Sequence, residues 1–312
     1  MRLLLIGCTG FIGRELIPQL LSNGHHLTLV SRKKAPGFAQ SLESSQFINL
    51  QLNPAEEKNW QQGELLQSLA AAEGVINLAG EPIAEKRWTS SHRQELLNSR
   101  LNTTKGLVNA MRQIRKPPRI LINASAVGYY GTSQDAHFQE ESKNGEDFLA
   151  LLCKQWEEIA SEKPRATRLI VFRIGIVLGP DGGALGKMLP VFKTGLGGPI
   201  GDGNQWMSWI HRTDLCQMIQ QALTNKSWSG PVNAVAPNPV SMRKFSAALG
   251  KSLGRPSLLP VPGAILKLLL GDGARVVLDG QKVESMQLQK LGFQFQYPNL
   301  DQALVSITTP KN

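Results

Sequence analysis

At 312 residues, with 41% hydrophobic content, the chain can bury one large core or two modest ones. No apolar run approaches the length of a membrane span, since Ala264 to Leu270 covers only seven residues, so no membrane partner is expected. The net charge of +10, from 34 basic and 24 acidic residues, permits nucleic-acid binding. However, Arg32-Lys33-Lys34 and the Arg112 to Arg119 stretch are short groups at predicted loops, and no basic tract or interleaved aromatic pattern accompanies them. The charge therefore reads as a preference for anionic small ligands such as nucleotide phosphates, with no nucleic-acid partner. Cys8, Cys153 and Cys216 form neither a disulfide framework nor a zinc pattern, which fits a reducing, cytoplasmic setting. The five histidines include no H-E-x-x-H arrangement, so no metal is expected. Leu5-Ile6-Gly7-Cys8 has the form of a lipoprotein cleavage box, but what precedes it is too short for a signal peptide.

In chain order, strand Arg2–Ile6 runs straight into Gly7-Cys8-Thr9-Gly10-Phe11-Ile12-Gly13 and then into a helix over 12–22. This is the strand, glycine-rich turn and helix of a dinucleotide-binding βαβ unit. Gly7 makes the sharp turn, Gly10 lets the backbone approach a pyrophosphate, and Gly13 lets the helix pack on the strand. The helix's first N–H groups then face the phosphates. Gly7, Thr9, Gly10, Phe11, Ile12 and Gly13 are the expected phosphate-binding set.

The second strand, Leu27–Val30, ends in Ser31-Arg32-Lys33. NAD-specific sheets place a carboxylate there to accept the ribose 2′-hydroxyl, and none is present. Arg32 and Lys33 would attract a 2′-phosphate and Ser31 would donate to it, which points to NADP; the plainer reading is a solvated basic loop. Strands at Phe47–Leu50 and Gly74–Asn77 flank a helix over 64–72. The small-residue tail Leu78-Ala79-Gly80 allows a flat nicotinamide–ribose unit to lie against the backbone, and Glu81 and Arg87 follow as further ligand-binding candidates.

A helix over 90–112, capped at Thr89 or Ser90, leads to strand Arg119–Asn123. Beyond it, Ser125, Tyr129 and Tyr130 sit where the crevice outside the sheet should open. Ser125 could hydrogen-bond a substrate oxygen and a tyrosine could exchange a proton with it. Each tyrosine alone reads more readily as a wall aromatic than as a catalytic group, and Ser125 has a plainer reading as a strand-end cap. A helix over 145–161 and strand Leu169–Arg173 close the alternating half, the pattern of a doubly wound, mainly parallel α/β sheet. From Gly175 on, Gly179 to Gly183 and Gly195 to Gly203 read as loops near a ligand, Ser241 to Leu253 as a helix, and Ile265–Leu270 as an apolar helix. Residues 1–175 are expected to form the NADP-binding domain, its sheet rejoined by about 208–215 and 231–236. Residues 176–312 are expected to supply a smaller substrate-side region.

Gly7 to Gly13, Asn77-Leu78-Ala79-Gly80, Ser125, Arg173 to Pro180 and Trp209-Ile210-His211-Arg212-Thr213-Asp214-Leu215 resemble the extended short-chain dehydrogenase/reductase superfamily, in its epimerase branch. Gly197 to Trp206, Phe148 to Cys153 with Trp156-Glu157, and Gly292-Phe293-Gln294-Phe295 are similar to one subgroup, the epimerase-family proteins with a small C-terminal extension. Some of these are described as cell-division inhibitors in bacteria and linked to plastid division in plants. Arg100-Leu101-Asn102-Thr103-Thr104 resembles the epimerase pattern Asn-x-x-Gly-Thr and puts Arg100 among the expected cofactor contacts, with Ser125. His211 and Asp214, by the same resemblance, return to the substrate side.

One departure bears on chemistry. The superfamily pairs its serine with Tyr-x-x-x-Lys, and no such pair exists in this chain; counting from Ser125 brings Ala150 and Lys154 to that place. The resemblance thus implies fold and NADP binding, with a small-molecule or nucleotide-linked substrate. Two functions stay open: an NADP-dependent oxidoreductase or sugar-nucleotide-type epimerase, and a catalytically weak NADP-binding regulatory protein tied to cell or plastid division.

Overall fold

A computed structural model of the chain describes residues 1–32, 37 and 46–309. Its centre is a seven-stranded sheet built from β1 (Arg2–Ile6), β2 (His26–Ser31), β3 (Phe47–Gln51), β4 (Gly74–Asn77), β5 (Ile120–Ala126), β7 (Arg168–Ile174) and β11 (Gly230–Ala234). Their order is β11-β7-β5-β4-β1-β2-β3, with every pairing parallel. Short pieces complete the strands: β6 (His137–Phe138), β8 (Ile176–Leu178), β9 (Trp206–Met207), β10 (Trp209–His211), β12 (Val240–Ser241) and β13 (Lys282–Val283). Among the described residues the α-helices are α1 (Gly13–Ser22), α2 (Glu64–Ala71), α3 (Ser90–Gln113), α4 (Phe148–Ser161), α5 (Gly183–Lys193), α6 (Arg212–Thr224), α7 (Met242–Ser252), α8 (Gly263–Leu270), α9 (Arg275–Leu278), α10 (Met286–Lys290) and α11 (Leu300–Thr308).

Successive residues of β1 point to opposite faces. Leu3 and Leu5 pack with Leu16, Ile17 and Leu20 of α1 and Met218 and Ile219 of α6. Leu4 and Ile6 pack with Leu65 and Leu69 of α2 and Leu107 and Met111 of α3. Helices thus cover both faces, which is why the strands read as unbroken apolar runs. Strand order reverses between β1 and β4, so the carboxyl ends of β1, β2, β4 and β5 open on one crevice. A third core joins α5, α7 and α11 beside the sheet through Leu185, Phe245 and Leu304.

Segment 208–215 differs from the sequence expectation. It does not enter the main sheet: Trp209–His211 pairs with Ile176–Leu178 in a two-stranded sheet of its own. The cause lies at Gly175, where the chain leaves the sheet so tightly that a Cβ would stand 2.4 Å from the Ser208 carbonyl oxygen. The glycine-dense stretch after β8 also contains a helix, α5, that its composition hid.

Candidate functional site

The three glycines after β1 are needed for different reasons. Gly7 has φ +73° and a Cβ there would lie 2.4 Å from the Ala79 backbone, so the β1 and β4 tails touch. A Cβ on Gly13 would fall 1.6 Å from the Cys8 carbonyl oxygen, so the helix cannot sit this close with any other residue. Gly10 meets no described atom within 4 Å of an added Cβ and its φ is not positive. Packing does not ask for glycine there. The space beside Gly10 lies at the start of α1, whose first turn is anchored by the Arg14 N–H donating to the Gly10 carbonyl at 3.1 Å. An open cradle at a helix N-terminus is what a dinucleotide pyrophosphate requires, so these residues fit such a group. Thr9 and Ile12 are half-buried in the same turn.

Phe11 explains a second set of glycines. The Arg212 guanidinium lies 4.5 Å over its ring, and a Cβ on Gly179 or Gly182 would come within 2.7 Å of it. Arg212 Nε donates to Glu15 at 2.7 Å, and its Nη1 donates to the Phe11 carbonyl at 3.1 Å and to Asp181. The loop after β8 is thereby clamped onto the turn after β1.

Ser31 is buried at the end of β2, and Arg32 follows with its side chain 65% exposed, 3.5 Å from the Glu81 carboxylate. Lys33 lies outside the described residues. At the end of β4, Asn77 Nδ2 donates to Asn123 Oδ1 at 2.7 Å and Thr104 Oγ1 at 2.9 Å, and its Oδ1 accepts from the Ala79 N–H at 3.2 Å. These bonds hold the Leu78-Ala79-Gly80 tail. Arg100 braces it from behind: a Cβ on Gly80 would be 2.7 Å from its Cζ, and Nη2 donates to the Glu81 carbonyl at 3.0 Å. Burial lowers the Arg100 pKa, and its ring neighbour is Trp156 at 5.5 Å.

Among the described residues, Glu81, His92 and Glu95 form the one group with metal-ligand spacing. The Lys86 ammonium already stands 3.1 Å from Glu81 and 3.6 Å from Glu95, so a cation of the chain itself fills that place.

The end of β5 carries a buried charged network. Ser125 Oγ donates to Glu157 at 2.6 Å. Arg173, register partner of Ser125 on β7, holds both Glu157 oxygens at 2.9 and 2.8 Å. Its Nη1 donates to the Tyr130 hydroxyl and the Glu140 carbonyl, each at 2.9 Å, and Tyr130 donates onward to Asn233 at 2.6 Å. Burial opposes the charge on Arg173, but the bonds to Glu157 outweigh it and raise its pKa. Burial pushes the Tyr130 phenol up to about 12. Tyr130 is therefore saturated on both sides. Tyr129 is different: its ring lies 3.5 Å from the Arg173 guanidinium carbon, and its hydroxyl makes no hydrogen bond among the described residues.

The face of α4 turned to Ser125 presents Glu157, with Cys153 one turn earlier; burial pushes the Cys153 thiol up to about 11. Lys154 stands 47% exposed, 4.0 Å from Glu158, and Ala150 is buried. His211 and Asp214 are held by the C-terminal extension. The His211 ring lies tilted against Tyr297, centroids 4.0 Å apart, and Asp214 accepts the N–H groups of Gln296 at 2.7 Å and Tyr297 at 3.1 Å. Glu140 does the same for α10, accepting from Ser285 Oγ at 2.6 Å and the Met286 N–H at 3.0 Å. Arg87 donates to the Leu268 carbonyl of α8.

Sequence reasoning passed over Glu157, Arg173 and Glu140 as site residues. Arg173 carried a usable signal, because a charge inside the apolar run Arg168–Ile174 must find a buried partner.

Comparison with known proteins accords with this geometry. A family model described as the NAD dependent epimerase/dehydratase family matches residues 3–234, and a domain of unknown function, DUF1731, matches 261–307. The chain is 42% identical over 303 residues to the chloroplastic epimerase family protein SDR39U1 homolog of Arabidopsis thaliana, covering 96% of this chain and 85% of that protein. The crystal structure of human epimerase family protein SDR39U1 (isoform2) with NADPH superposes with a TM-score of 0.85 at 36% identity, covering 98% of this chain and 99% of that one. A UDP-glucuronic acid 4-epimerase from Bacillus cereus, in complex with UDP-glucuronic acid and NAD, shares the fold with a TM-score of 0.77 at 20% identity, over 97% and 96% of the two chains. No helix among the described residues is long and apolar enough to cross a membrane. With the glycine turn, the switch-point crevice and these matches together, the chain belongs to the NAD dependent epimerase/dehydratase family.

Proposed function

We propose that the protein binds NADP(H) and acts as an oxidoreductase, or a sugar-nucleotide-type epimerase, on a hydroxyl or carbonyl of a small or nucleotide-linked substrate. The observation that carries this is the open space beside Gly10, demanded by nothing among the described residues, at the end of β1, with Arg32 following the neighbouring strand β2. The NADPH in the human relative's structure supports the same reading. A bound nicotinamide would supply hydride. The chain's own part is to seat the pyrophosphate on the turn from Gly7 to Gly13 and the 2′-phosphate on Ser31 and Arg32. Ser125 spends its proton on Glu157, so it meets a substrate only as an acceptor and serves to position it. Tyr129 has the hydroxyl left to exchange a proton with the reacting oxygen. The three free, buried cysteines suit a reducing compartment such as the cytoplasm.

The test is NADPH oxidation, followed by absorbance, against a panel of carbonyl compounds and sugar nucleotides. Tyr129→Phe should lower the rate on the order of 10²–10⁴-fold. Full turnover by that variant would remove Tyr129 from the chemistry. The second reading, a catalytically weak NADP-binding regulatory protein, is favoured by one observation: Lys154 is 47% exposed and pairs with Glu158, and Ser125 meets Glu157 instead. Tight NADPH binding without turnover on any substrate would select it.

A further inference from the structure

We propose that Glu81 sets the choice between the two nicotinamide dinucleotides, repelling a 2′-phosphate at Arg32 and accepting the 2′-hydroxyl of the unphosphorylated form. This rests on the cofactor reading above and extends it to a residue that no motif assigns.

Glu81 is fixed by the scaffold. Its N–H donates to Ser99 Oγ at 3.0 Å, its carbonyl accepts from Arg100 at 3.0 Å, and its carboxylate accepts from Lys86 at 3.1 Å. Its side chain is only 15% exposed, whereas Arg32 is 65% exposed. The carboxylate therefore stays in place while the arginine can swing. Arg32 reaches Glu81 at 3.5 Å, so a phosphate bonded to the same guanidinium arrives within a few ångströms of a fixed negative charge.

The sheet lacks a carboxylate at the end of β2, the usual acceptor of a ribose 2′-hydroxyl. Glu81, from the end of β4 two strands away, brings a carboxylate to the guanidinium that follows β2. A ribose hydroxyl can donate to it in a charge-assisted bond. A phosphate can only be repelled by it. Lys86 moderates the repulsion, and shares itself with Glu95 at 3.6 Å.

The experiment is titration of NADPH and NADH, by calorimetry or fluorescence, into the wild-type protein, Glu81→Gln, Lys86→Ala and the double variant. Glu81→Gln should raise the NADPH:NADH affinity ratio about 10-fold, by tightening NADPH and weakening NADH. Lys86→Ala should lower the ratio several-fold and have no effect in the Glu81→Gln background, because it acts through that carboxylate. A ratio in Glu81→Gln within twofold of wild type, or weaker NADPH binding, overturns the proposal. So does an equal effect of Lys86→Ala in both backgrounds, and an unchanged ratio in the single Lys86→Ala variant overturns it even if Glu81→Gln folds poorly. If the wild-type protein binds neither dinucleotide, the cofactor reading falls and this inference with it. If it binds both and the ratio does not move, only the role of Glu81 falls.

Discussion

Gly10 and Gly13 lie three residues apart in one turn, yet a methyl group should act at each through a different mechanism. On Gly13 the new carbon would sit 1.6 Å from the Cys8 carbonyl oxygen, a contact that only a backbone shift can relieve. Forced overpacking of this kind costs about 1–3 kcal/mol, more than the ~1 kcal/mol that alanine gains over glycine inside a helix. Gly13→Ala should therefore lower the melting temperature by several degrees, with loss of ligand binding as a consequence. Gly10→Val puts its side chain into open space, with no described atom within 4 Å of the Cβ. Its stability should stay within about 0.5 kcal/mol of wild type, as for ordinary surface substitutions. The same side chain would keep a pyrophosphate off the helix N-terminus. Loss of two charge-assisted contacts, at about 1.5–3 kcal/mol each, weakens binding 100-fold or more. Thermal melts with and without NADPH, with a direct titration, separate the two effects. Normal NADPH affinity in a well-folded Gly10→Val protein would refute the phosphate-turn reading. An undisturbed melt for Gly13→Ala would refute the packing argument.

Arg32→Ala should weaken NADPH binding by about 10- to 100-fold more than NADH binding, the value of one charge-assisted phosphate contact, and added salt should narrow the difference. An Arg32→Ala variant that weakens both dinucleotides equally would contradict it. Glu157→Ala leaves the buried Arg173 guanidinium without its acid and should cost about 3–5 kcal/mol in denaturant unfolding; a loss below 1 kcal/mol would mean that Arg173 is satisfied by its other partners. Tyr130 should ionise near pH 12 in the folded protein against about 10 unfolded. Its folded pKa is the higher of the two, so its contribution is fully present below pH 10 and fades as pH rises through 12, by about 3 kcal/mol in all. Spectrophotometric titration should show a late phenol that is absent in Tyr130→Phe; superimposable curves for the wild-type protein and Tyr130→Phe above pH 11 would refute it.

What could be read from the residues was local in the chain. β1, the glycine turn and α1 lie within the first 22 residues, and the contact of Gly13 with Cys8 is set by that strand and helix, although Gly7 also meets Ala79 from the β4 tail. The apolar strands were equally plain, because burial on both faces leaves no polar alternation to misread. What could not be read depends on distant partners. Gly182 and Gly183 look like loop residues until Phe11, about 170 positions earlier, is seen lying on them, and helix α5 starts there. His211 and Asp214 sit in a stretch that by resemblance faces a substrate, but residues 296–297 and 306 reach them first.

The rotation of α4 is the most instructive case. Counting from Ser125 singles out Ala150 and Lys154, yet Ala150, Cys153, Trp156 and Ala160 are the buried stripe, and Glu157 is one helical turn beyond Cys153 on its inner edge. The inward spacing of four residues is kept, with a thiol and a carboxylate in it instead of a phenol and an ammonium. That exchange changes the sign of the charge beside Ser125, and Arg173 from β7 balances it. The cation lying against a free phenol is then Arg173 under Tyr129, where the superfamily pattern sets a lysine one turn after its tyrosine. A tyrosine and a cation thus meet again at the end of β5, brought together by two strands of the sheet and not by one helix. If this pair does the work, Arg173→Lys should lower turnover as steeply as Tyr129→Phe while NADPH affinity holds. Lys154→Ala should change neither, and a loss of turnover in Lys154→Ala would return the chemistry to the helix.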